Sequence, residues 1–324
     1  MCTAITYKTA DFYFGRNLDL ERSYNETVTV TPRNFPFRFR NGKVISNHFA
    51  MVGMATVGDG YPLYYEAANE KGLSIAGLNF PQNAVYYPES DSKENIAPFE
   101  LITRILGGCK SVNEALMEIE SINLWNIPFS KKLPLTPLHW IIADRERSVT
   151  LEPVESGLKI YENPFGVLTN NPPFDFHLYN ITNYINLTPN HPENRFGAAS
   201  DLQPYSRGMG AIGLPGDLSS ASRFVRAAFV KLNSVSGDSE SESISSIFHI
   251  LDSVSQQKGL NRLSNGEYQY TLYSCCCNTD KGVYYYTTFG NRQIAAVDMN
   301  KEDLNGCKLI EFPLVTGQQI MWQN

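Results

Sequence analysis

Long hydrophobic runs are missing from this chain of 324 residues: nowhere does an apolar stretch approach the roughly eighteen residues that a membrane-spanning helix requires. Its first residues also lack the basic start, apolar centre and small-residue cleavage site of a secretory signal, so a cytoplasmic protein is expected. An excess of positive charge is absent too. With 27 Lys and Arg against 33 Asp and Glu the net charge is -6, which argues against a nucleic-acid or anionic-membrane partner that a basic patch would serve. An anionic small molecule would have to be held by particular arginines. The five histidines form no His-Glu-x-x-His, no Gly-Lys-Ser/Thr follows a glycine-rich turn, and Cys275-Cys276-Cys277 is not a Cys-x-x-Cys pair. Neighbouring side chains on a strand point to opposite faces, so these three cysteines are expected to be small buried groups, and neither metal nor cofactor is expected. Six cysteines in a chain this long make no disulfide scaffold.

What is present is ordinary in bulk and unusual at one position. Hydrophobic residues make up 42% and charged residues 19%, as in soluble globular proteins. Cys2 directly follows Met1 and feeds a strand-like segment. Removal of Met1 would leave a thiol and a free α-amino group on one residue. Such a pair is a nucleophile with its own base, because a free α-amino group titrates at about 7.7 to 8.0 and a free thiol at about 8.5. By itself the position carries no specificity.

Alternating or β-rich segments mark strands at 3–7, 12–16, 27–31, 49–57 and 73–80, with a turn at Ala10-Asp11 and another at 69–72. Arg16 and Asp19 follow the second strand and are expected either beside Cys2 or as a surface ion pair. Asn79, among apolar neighbours, is expected to be a hydrogen-bond hub or an oxyanion donor. Helices follow at 98–106 and after the Ser111-x-x-Glu114 capping signal. Strands are expected at 139–144, 148–154, 158–162 and 166–169, then a long loop over 180–204. Glycine-rich turns lead into a helix over about 219–232, where Arg223 opposes the helix dipole and calls for an anionic neighbour. One more helix is expected at 243–255, and strands at 268–277, 282–289 and 293–298. Strands, a helix pair, strands, a helix pair and strands again specify an α+β fold of two sheets with helices outside, in one domain over 1–324.

Taken together, Met1-Cys2-Thr3, 15–19, 69–73, 76–80, 138–140, 166–170, 213–217, 222–224 and 294–300 resemble the choloylglycine hydrolases, the bile salt hydrolase and penicillin V acylase group of N-terminal nucleophile hydrolases. The resemblance implies a four-layer αββα fold, a homotetramer and removal of Met1. It implies Cys2, Arg16, Asp19, Asn79, Asn170 and Arg223 as the catalytic set. Cys2 would attack the amide carbonyl with its own α-amino group as base, Asp19 would hold that amine, and Arg16 would favour the thiolate. Asn79 would serve the oxyanion hole, Asn170 would order the nucleophile region or the substrate amide, and Arg223 would bring positive charge.

Asn79 is similar to the bile salt branch, where penicillin V acylases more often carry Tyr. Conjugated bile salts are therefore the expected small-molecule substrate, with penicillin V or an N-acyl homoserine lactone as alternatives, and a non-catalytic binder of steroid amides as a different class. By the family pattern Leu18, Leu20, Tyr24, Phe129, Leu133 and Leu138 would line an apolar cleft. Gly58 stands where some members have a bulky aromatic, which bears on the width of that cleft.

Overall fold

Side chains on a strand alternate between faces, and in this chain both faces of the long strands are apolar, so each sheet must be covered twice. The computed structural model, described for residues 1–197 and 200–324, meets that demand with two large antiparallel sheets. The first has six strands, in the order Val167–Leu168, Cys2–Lys8, Phe12–Leu20, Tyr270–Asn278, Val283–Thr288 and Asn291–Asp298. The second has eight: Gly157–Glu162, Ser148–Val154, Leu138–Ala143, Ser74–Asn79, Tyr61–Asn69, Met51–Gly58, Thr27–Thr31 and Ile310–Pro313.

In the eight-stranded sheet, Val52, Met54, Ala76, Leu78 and Ile141 face the other sheet and share its core with Ala4, Phe14 and Cys275. Their strand neighbours Met51, Ala55, Ile75, Trp140 and Ile142 face the opposite way, onto Leu101, Ile105, Val112, Ala115 and Ile119 of the helices Leu101–Gly108 and Val112–Glu120. The six-stranded sheet is covered on its outer face by Ser220–Asn233 and Glu240–Asp252, through Phe224, Ala228, Ile247 and Leu251. The result is the expected α+β architecture in four layers, αββα.

Several elements depart from the expected ones. The second strand runs on to Leu20, so Arg16 and Asp19 lie inside it, and both are fully buried instead of forming a surface ion pair. Tyr61–Asn69, unforeseen, is a central strand beside Ser74–Asn79. The helix Phe174–Asn180 stands before the expected loop, and a 3-10 turn, Ile181–Tyr184, opens it; Ala198 and Ala199 of that loop lie outside the described residues. Among the described residues no helix is long and apolar enough to cross a membrane.

Candidate active site

The strands Cys2–Lys8 and Phe12–Leu20 pair with Cys2 opposite Leu18 and Ala4 opposite Arg16. Residues two apart share a face, so the Cys2 thiol and the Arg16 guanidinium project from the same side, into the space between the sheets. Asn17 points to the other side, where its amide donates to Leu251 O at 2.8 Å, and Asp19 lies on this outer side as well. Cys2 is 2% exposed. Its backbone nitrogen donates to Asn170 Oδ1 at 2.8 Å.

Asn170 is the hub. Its Oδ1 also accepts from Arg223 Nη2 at 2.8 Å, and its Nδ2 donates to Asn79 O at 2.7 Å, so both acceptor positions and one of the two donors of the amide are used. Its main chain is held as tightly: the Asn170 N–H donates to Ser220 Oγ at 2.8 Å, and His177 Nε2 donates to Asn170 O at 3.0 Å. One residue earlier, His139 Nε2 meets Thr169 O at 3.1 Å while Nδ1 meets Glu152 Oε1 at 2.9 Å, and Phe80 stacks on the ring at 4.3 Å. Helix Ser220–Asn233 is set by Ser219, whose side chain accepts from Ser222 N, and so brings Arg223 to the sheet. Arg223 Nη1 donates to Cys2 O and to Thr3 Oγ1, and Nε to Leu218 O at 3.0 Å. A fork of donors against fixed oxygens gives orientation that a lysine cannot give.

Arg16 is tied at one nitrogen. Nη1 donates to Tyr65 O and Gly77 O, each at 2.9 Å, and to Glu66 Oε2 at 3.3 Å. Asp19 accepts from Thr271 Oγ1 at 2.6 Å and Gln256 Nε2 at 2.8 Å, and its main-chain oxygen accepts from the Met1 amine at 3.0 Å. Burial pushes the Asp19 carboxyl above its ordinary range, against the pull of Arg223 and the chain's amine. Burial likewise lowers Arg223 and the terminal amine. Asn79 ends the strand Ser74–Asn79, opposite Leu138.

The structure therefore brings Cys2, Arg16, Asp19, Asn79, Asn170 and Arg223 into one neighbourhood. The six apolar residues are more dispersed. Leu18, and at its margin Leu20, belong to the core between and behind the sheets, whereas Phe129 and Leu138 pack at the edge of the other core. Tyr24 lies under the Arg22 guanidinium, 5.5 Å from its ring centre, and Leu133 sits in a loop closed by hydrogen bonds to Ser130. Gly58 lies directly against Phe129: a Cβ there would stand 2.9 Å from the ring. Among the described residues no group of His, Cys, Asp and Glu is arranged to hold a metal ion.

Sequence reasoning passed over Glu66, Glu152, His177, Ser220, Gln256 and Thr271. Glu66 alone left a signal, a carboxylate in the apolar run Tyr64-Tyr65-Glu66-Ala67-Ala68.

A model of the choloylglycine hydrolases, described as linear amide C-N hydrolases, matches residues 2–312. The chain belongs to the choloylglycine hydrolase family. It is 56% identical over 314 residues to a bile salt hydrolase/transferase of Lactiplantibacillus plantarum, covering 97% of each chain. It is 39% identical to a bile salt hydrolase/transferase of Clostridium perfringens, covering 94% of each. A crystal structure of a variant conjugated bile acid hydrolase from Clostridium perfringens superposes with a TM-score of 0.92 at 36% identity over the whole of both chains. Penicillin V acylase from Agrobacterium tumefaciens shares the fold, with a TM-score of 0.74 at 21% identity. This is accordingly an amide hydrolase, and its buried thiol and flanking charges lie in the setting of that family.

Proposed function

We propose that this hydrolase cleaves the amide bond of bile salts conjugated to glycine or taurine, with Cys2 as nucleophile. The observation that carries the proposal is the backbone nitrogen of Cys2, held at 2.8 Å by Asn170 Oδ1, in a residue whose thiol shares a face with Arg16. Removal of Met1 turns that nitrogen into an α-amine already positioned as base. Sγ attacks the carbonyl carbon while the amine takes the thiol proton, and the oxyanion forms beside Asn79. Collapse breaks the C–N bond and returns the proton to the leaving amine, giving free glycine or taurine and a thioester on Cys2. Water, deprotonated by the same amine, then releases the bile acid. Asn170 orients the amine and Arg223 fixes the Cys2 carbonyl, so both act by position. Asp19 acts from behind, its main-chain groups facing the residue before Cys2. Leu18, Leu20, Tyr24, Phe129, Leu133 and Leu138 are proposed to contact the steroid at different points of its path.

One domain over 1–324, a homotetramer and a cytoplasmic location complete the proposal. Purified protein is incubated with glycocholate and taurocholate, free amino acid is measured, and the N-terminal mass is recorded. Release of glycine or taurine by protein lacking Met1, lost by at least about a hundredfold in Cys2→Ser with the fold intact, is expected, since a hydroxyl is a far poorer nucleophile than a thiolate. No release from either conjugate by protein lacking Met1 sinks the proposal, and faster turnover of penicillin V or an acyl homoserine lactone would redirect it.

A further inference from the structure

Between the sheets lies a second group of buried polar side chains, centred on Glu66 of strand Tyr61–Asn69. Its carboxylate is 2% exposed and receives donors from three strands of the opposite sheet. Tyr284 Oη lies 2.6 Å from Oε1, Tyr273 Oη 2.9 Å from Oε2, Cys275 Sγ 3.5 Å from Oε1 and Arg16 Nη1 3.3 Å from Oε2. Buried carboxylates are costly unless paired and hydrogen-bonded, and this one has both kinds of support.

Its effect falls on Arg16. With Tyr65 O and Gly77 O, Glu66 gathers every bond of that guanidinium onto Nη1. Nε and Nη2 are buried and have no partner among the described residues. An arginine held this way is aimed as well as neutralised: one nitrogen is anchored while the others stay bare on the face that Cys2 shares. We propose that Glu66, fixed by Tyr273 and Tyr284, is the positioning residue for Arg16, keeping Nε and Nη2 turned to an anion formed at Cys2 and partly offsetting their charge there. This rests on Cys2 being the nucleophile. The charged and titratable groups around the cluster are Arg16 and Asp19 of Phe12–Leu20, Tyr65 beside Glu66, Tyr273, Cys275 and Cys277 of Tyr270–Asn278, Tyr284, Arg223 of the covering helix, and the chain's amine.

Alkylation of Cys2 by iodoacetamide, followed against pH by peptide mapping, reads this arrangement without any substrate. In Glu66→Gln the offsetting charge is gone, so the pH of half-maximal alkylation moves down by about one unit. Tyr284→Phe keeps the charge but removes a donor from it, so the midpoint moves up by a few tenths of a unit. In both, kcat for amide hydrolysis falls about tenfold while KM stays within about twofold, as expected when a reacting group is misaimed. An unmoved midpoint in folded Glu66→Gln, or a downward move in Tyr284→Phe, overturns the proposal. Should Glu66→Gln fail to fold, Tyr284→Phe decides alone, an upward move supporting and no move refuting. If the midpoints move as stated but the wild-type chain hydrolyses neither conjugate, the substrate assignment fails and the positioning role stands.

Discussion

Acid should loosen this fold through one residue, His177, and the size of the effect follows from its setting. The ring stacks on Phe224 at 4.9 Å, and its Nε2 donates to Asn170 O at 3.0 Å. Nδ1 is then the bare nitrogen, and it is buried without a partner among the described residues. Burial pushes the imidazole down from 6.5 to about 4, with the positive charge of Arg223 adding to it. Above pH 6.5 the ring is neutral in both the folded and the unfolded chain and pH has no leverage. Between 6.5 and about 4 only the unfolded chain takes up the proton, so stability falls as pH falls. The difference, 6.5 less about 4, is about 2.5 units, and at about 1.4 kcal/mol per unit the loss below pH 4 reaches about 3 kcal/mol. That is a substantial part of the roughly 5 to 15 kcal/mol by which proteins are stable. Urea unfolding of wild type and His177→Gln across this range measures it, because a glutamine amide can donate to the same carbonyl without titrating. The variant's stability should depend on pH less steeply by about 3 kcal/mol over the window. Equal slopes in the two proteins would refute the assignment of this proton to His177.

Asn170→Ala leaves the Cys2 N–H, Arg223 Nη2 and Asn79 O without their shared partner, and should cost about 3 to 5 kcal/mol in urea unfolding along with most of the hydrolytic rate. Arg223→Lys keeps the charge but loses the fork onto Cys2 O, Thr3 Oγ1 and Asn170 Oδ1; kcat should fall at least about a hundredfold, and a drop under tenfold would show that charge alone suffices. Gly58→Ala places a methyl against Phe129, so the ring must shift. The ratio of kcat/KM between a bile salt conjugate and penicillin V should then change by about threefold or more, read in paired initial rates, with stability altered by less than about 2 kcal/mol.

Local chemistry makes much of the framework readable in the sequence. Ser111 caps its helix, with its side chain accepting from Glu114 N, and Asn69 closes the turn over Lys71, Gly72 and Leu73 as the polar cluster there suggests. The helix Glu240–Asp252 starts before the expected 243 because the apolar stripe begins only at Ile244, whereas a capping box of Ser239 and Glu242 opens the helix in a solvent-facing turn. Tyr61–Asn69 escaped because Pro62 interrupts it and a strand covered on both faces need not alternate. The candidate site was legible only through family motifs. Arg16 and Asp19 look like an ordinary surface pair until the strand is known to continue through them. Glu66 lies 50 residues from Arg16 and Glu152 lies 13 from His139, so pairing across sheets and hairpins, invisible to local pattern, decides what each carboxylate does.

The strand order has a temporal side. Phe12–Leu20 lies between Cys2–Lys8 and Tyr270–Asn278, and Arg223 reaches Cys2 across 221 residues of chain. The hairpin of Cys2–Lys8 and Phe12–Leu20 thus waits for a strand made much later in synthesis before its sheet can close. At roughly 5 to 20 residues per second this wait lasts on the order of ten seconds to a minute, with an apolar hairpin unpaired along one edge. Until Asn170 and Arg223 have themselves been made, the proposed nucleophile has neither of them to order it, so a growing chain carries that thiol in an unassembled setting, and the site takes shape only as these distant segments arrive.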